Sequence, residues 1–165
     1  MCISDSSTID DNASLSVGTL DLANFTLTLD DQMAGLSIGQ PVTLDAAGEQ
    51  IVTGNADLSL NGGISATAGT LSSTGGILSL PGGATLASGT LFSTSNTTIN
   101  IGGILEVADT WTSTSTSILL TDNASLSSTA PLSLATLDTN GYGLMLASAA
   151  SDLTITEGVT INYAG

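Results

Sequence analysis

Short triplets of the form apolar-x-apolar recur along the whole chain, among them Leu15/Val17, Leu27/Leu29, Leu36/Ile38, Val42/Leu44, Leu58/Leu60, Leu78/Leu80, Ile99/Ile101, Leu105/Val107, Leu132/Leu134 and Val159/Ile161. Each is the smallest half-buried strand that a two-residue period allows. Between them lie Gly, Asn, Asp, Ser and Thr, residues that favour turns and tolerate positive φ. The clearest corners are Asn61-Gly62-Gly63, Thr74-Gly75-Gly76, Pro81-Gly82-Gly83, Gly102-Gly103 and Asn140-Gly141. No useful window has helical periodicity.

Taken in threes, the strand starts align as Leu15, Leu20, Leu27, then Leu36, Val42, Ile51, then Leu58, Ile64, Leu71, then Leu78, Leu86, Leu91. The series goes on with Ile99, Leu105, Trp111, then Leu119, Leu126, Leu132, then Leu137, Leu144, Leu153, and opens again at Val159. From Leu15 to Val159 is 144 residues over seven steps, about 20.6 per step. Three strands per step makes a triangular coil. The expected fold is therefore all-β, a single parallel β-solenoid of about 20–21 residues per coil and roughly seven coils, without helices. Such short strands cannot bury their apolar side alone. Coils stacked about 4.8 Å apart pair the backbone coil to coil and pile the inward side chains into one column. A sandwich of hairpins is the rival, but it wants longer strands and regular two-residue turns. The expected division is a polar N-terminal segment over 1–10 and the solenoid over 11–165.

Stretches such as Gly102-Gly103-Ile104-Leu105-Glu106-Val107-Ala108-Asp109-Thr110-Trp111-Thr112 resemble the β-helical passenger repeats of bacterial autotransporters and filamentous-haemagglutinin-type adhesins. The resemblance covers nearly the whole chain and rests on pattern, so it carries over no individual site residue. It implies right-handed winding, export and a place on the cell surface. The chain departs from that family in having no basic residue.

That departure bounds function. The 165 residues contain no Lys, Arg or His against fifteen Asp plus Glu, a formal charge of −15. Nucleic acid is excluded as a partner, since affinity for it comes from Lys and Arg on phosphate. No run approaches the ~18 apolar residues of a membrane helix. Histidine bases, lysine nucleophiles and arginine clamps are absent by type, so the expectation is that the chain is not an enzyme and holds no cofactor. The one chemistry left is a carboxylate pair acting on a polysaccharide, with Asp10-Asp11, Asp30-Asp31 and Glu106 with Asp109 as the candidate pairs.

Calcium is the natural counterion for adjacent carboxylates. Asp10, Asp11, Asp30 and Asp31 are the weak candidates, in a chain with no EF-hand loop and no Gly-Gly-x-Gly-x-Asp nonapeptide. Trp111, with Phe92 one coil earlier, is a candidate sugar-stacking platform, set against the reading that a lone Trp fills a thin core. Cys2 is the only cysteine, which rules out an intramolecular disulfide.

Solenoids need caps, because a bare last coil offers strand edges and an open apolar column. Apolar strands reach Ile161, and residues 1–10 are short for a capping helix. Leu15 and Val17 at one end and Val159 and Ile161 at the other are thus the candidate self-association residues. The expectation is an extracellular structural protein that stacks head to tail into a filament or forms a surface stalk. A glycan-binding adhesin module is the alternative.

Overall fold

A computed structural model describes residues 1–2, 5–9, 13–30, 35–109, 111–147 and 152–162. Among them there is no helix, every strand pairing is parallel, and the chain winds into a β-solenoid of about seven turns with three faces. The first face stacks Ser7–Ile9, Thr26–Leu29, Gln50–Thr53, Thr70–Ser73, Leu91–Ser95 and Trp111–Thr114. On the second lie Ser14–Val17, Gly35–Ile38, Leu58–Leu60 and Ile77–Leu80, followed by the opening halves of Thr98–Val107 and Ser117–Ser128. The third carries Val42–Leu44, Ile64–Ala66 and Ala84–Leu86, then the closing halves of those two long strands, and finally Leu144–Leu146. Each long strand rounds a corner, where the register shifts between Ile101 and Gly103.

The column on the second face follows the sequence alignment closely. Leu15, Leu36, Leu58, Leu78 and Ile99 are register partners in succession, and Leu137 and Val159 complete the column. The partner of Ile99 is Ile118 and not Leu119. On the first face Leu71 pairs with Phe92 and not Leu91. Both misplacements fall where apolar residues are adjacent, so alternation alone leaves two phases open. Burial chooses between them: Phe92 is 2% exposed and Leu91 65%. On the third face Ile64 pairs with Ala84, two residues before Leu86, and Leu126 pairs with Leu146, two after Leu144. A slip of two keeps the same side chains facing inward.

The ladder also enters the segment expected to be a polar lead. Ser7–Ile9 pairs with Leu27–Leu29, and Cys2 forms a parallel bridge with Asp21.

The core is a column of Leu, Ile, Val and Ala running through the coils. Each fully buried Leu or Ile contributes roughly 1.5–3 kcal/mol relative to an exposed one. Beside it, at the corner between the first and second faces, lies a buried seam of hydroxyls: Thr53, Ser73, Thr94, Thr97 and Thr116. Thr97 Oγ1 donates toward Ser73 O, and Thr94 and Thr116 share a 2.8 Å bond. The opposite corners demand glycine. Gly63 and Gly83 have φ of +80° and +79°, and a Cβ on Gly83 would sit 2.6 Å from the carbonyl oxygen of Ile104 on the next coil. Left-handed φ and close stacking both exclude a side chain there.

Candidate functional site

The candidate residues fall at three kinds of place: inside the column, on its corners and at its ends. Trp111 lies inside, which corrects the sugar-platform expectation. Its indole is 4% exposed, its ring lies 4.8 Å from that of Phe92, and Nε1–H donates to Thr94 Oγ1 at 2.9 Å. Protein covers both faces of the ring, so no sugar can stack on it. The position follows from register: Trp111 pairs with Phe92, continuing Leu27, Ile51 and Leu71.

Of the calcium candidates, Asp30 is half-buried at the end of its strand, where its backbone N–H donates to Ile9 O at 3.0 Å. Asp10, Asp11 and Asp31 lie outside the described residues. Among those described, no group of three or more acid, Cys or His side chains is placed to hold a metal ion. Glu106 and Asp109 stand on different elements. Glu106 points outward from the third face, in register with Thr85 and Ser127, whereas Asp109 sits at the next corner and accepts the Gly89 N–H through Oδ2 at 3.2 Å.

One acid of consequence has no signal in the sequence pattern. Glu49 is buried, and Oε2 accepts the backbone N–H groups of Asp45 at 2.7 Å and Ala46 at 3.2 Å, while Oε1 faces the N–H of Asn24 at 3.4 Å. The carboxylate satisfies donors that the corner at 45–49 turns away from the ladder. It ties that corner to the preceding coil.

The end residues behave as one column seen at its two openings. Leu36, Leu58, Leu78, Ile99 and Ile118 are 0–2% exposed, yet Leu15 in the same column is 37% exposed and Val159 52%. Val17 is half-buried against the core, and Ile161 is exposed. Around Val159 and Ile161 a recess is lined also by Leu137, Tyr142 and Leu144. Leu15, Val17 and Val159 have the facing of core residues by register, with no described coil laid over them. No protein-family model, curated protein or solved structure matches this chain.

Proposed function

We propose that the chain is an extracellular structural element, a β-solenoid that builds a filament or surface stalk by stacking coil upon coil. One observation carries the reading: the aliphatic column, closed through the interior, opens at Leu15 and at Val159. A further coil in the same register pairs the open strand edge and buries the exposed aliphatics, which is the interaction that already joins every interior coil to its neighbours. In a filament that coil comes from a second copy, and in a stalk from a longer run of the same solenoid. Joining one end to the other is a heterologous contact that does not close, so it propagates.

Composition favours an external setting. Trypsin-like proteases have no Lys or Arg to cleave after. A ladder hydrogen-bonded on both sides also leaves few segments that open locally for other proteases.

Electron microscopy and light scattering of the purified chain test the proposal. Fibres of uniform width, with a mass that rises with concentration, are the expected result; a monodisperse monomer at high concentration sinks it.

A further inference from the structure

The outer side of the second face carries a groove that crosses five coils, from Ser14 and Leu15 to Asn100, with a volume of about 290 Å³. Four coil steps make it roughly 19 Å long, parallel to the solenoid axis. Its floor is the register row Ser37, Ser59, Ser79 and Asn100. The hydroxyls there are oriented by side-chain amides. Ser59 Oγ donates to Asn61 Oδ1 at 2.9 Å, Asn61 Nδ2 donates to Ser37 Oγ at 2.9 Å, and Asn100 Nδ2 donates to Ser79 Oγ at 3.4 Å. Ser37 and Ser79 therefore act as acceptors toward the protein and keep their own protons for an outside acceptor, while Ser59 keeps lone pairs for an outside donor. Along the axis the floor reads donor, acceptor, donor. At the rim, Ile77 faces outward on the same side as Ser79 and is 38% exposed.

We propose that this groove binds a neutral oligosaccharide lying along the solenoid axis. From Leu36 to Asn100 the backbone beneath is already paired on both sides, so an extended peptide lying along the groove finds no strand edge on which to add itself. What the groove offers is alternating hydroxyl donors and acceptors at a fixed spacing, with aliphatic surface at the rim. A sugar chain presents the complement, hydroxyl groups around each ring and C–H faces above and below it. The charge selects among sugars. Asp57 stands exposed at the rim, its Oδ1 accepting the Ile77 N–H at 2.8 Å, and no side-chain cation exists in the chain to offset a uronate or sulfate.

Chemical-shift titration of the full chain with cellohexaose, maltohexaose and mannohexaose, and with an oligogalacturonate as the charged probe, tests the site. The expected result is saturable binding of at least one neutral oligomer, with shifts confined to the row from Ser37 to Asn100. Ser59→Leu fills the floor and should weaken binding at least tenfold, whereas Ser65→Leu, outward on the third face, should leave it unchanged. Thermal melts of both variants establish that the coils remain folded. Failure of all three neutral probes at millimolar concentration overturns the proposal, as does equal binding by the two variants or preference for the galacturonate. The test is independent of filament formation: a stalk with no ligand forms fibres and fails here.

Discussion

Phe92 and Trp111 are register partners on neighbouring coils of the first face, their ring centroids 4.8 Å apart and their planes tilted by 33°. They are the largest side chains in a column otherwise built from aliphatics, and the indole N–H adds a bond to the Thr94 hydroxyl. Truncation to Trp111→Ala leaves a cavity that stacked coils cannot close, and should lower stability by about 3–5 kcal/mol. Trp111→Phe retains the stack, loses the bond to Thr94 and should cost about 1–2 kcal/mol. Denaturant unfolding of both variants checks the order; equal losses would remove the ring stack from the account, and no loss in Trp111→Phe would remove the hydrogen bond.

Glu49 makes a second prediction. Replacing it by alanine leaves the N–H groups of Asp45 and Ala46 without their acceptor at a part-buried corner, a loss of about 1 kcal/mol or more. Glu49→Gln keeps an acceptor oxygen and should lose less. Asp45→Asn removes a charge nearby without touching the cap, and is expected to be neutral or slightly stabilising in so acidic a chain. If Asp45→Asn destabilises as much as Glu49→Ala, the corner is held by something else.

At Gly83, alanine meets both a left-handed φ and a carbonyl oxygen 2.6 Å away. Gly83→Ala should therefore lose at least about 1–3 kcal/mol. Gly158 has ordinary φ and nothing within 4 Å of the place a methyl group would take, so Gly158→Ala should be nearly silent. Thermal melting of the pair compares them directly.

The net charge of −15 predicts an unusual salt response. With no side-chain cation, added salt has no side-chain ion pair to weaken and screens only repulsion. Raising NaCl from about 0.01 M to about 1 M shortens the screening length from about 30 Å to about 3 Å. The melting temperature should rise by about 2–4 °C for each kcal/mol of repulsion removed. A flat or falling melting temperature would show that the acids are spaced too widely to matter.

Much of the fold was legible because the coil is periodic. Leu36, Leu58, Leu78 and Ile99 could be placed one above another from spacing alone, since a strand has a two-residue period and the chain returns to each face after 20–22 residues along that column. The errors came where that code is degenerate. Leu91-Phe92 and Ile118-Leu119-Leu120 each allow two phases, and the choice rested on which side chain fits a core whose dimensions come from the other two faces.

The candidate sites were less legible for the same reason. Alternation marks a residue as inward or outward but says nothing of what lies on the next coil. Trp111 stood open between a platform and a filler of the core, because the partners that decide it, Phe92 and Thr94, lie 19 and 17 residues earlier in the chain. Glu49 gave no sign at all, since its role depends on three backbone N–H groups converging at one corner. The serine row on the second face is visible as Ser37, Ser59 and Ser79 once the coils are aligned, but its hydrogen-bond polarity depends on Asn61 and Asn100 reaching across coils.

By itself, then, the sequence determined the coil length, the parallel stacking, the aliphatic core and the absence of basic chemistry, all of which follow from local period and residue type. Tertiary structure alone decided which of two adjacent apolar residues turns inward, that the single Trp is core, that Glu49 holds a corner, and where a groove opens on an outer face. Those outcomes are set by contacts between residues about one coil apart, where packing volume and hydrogen-bond geometry act and local pattern carries no information.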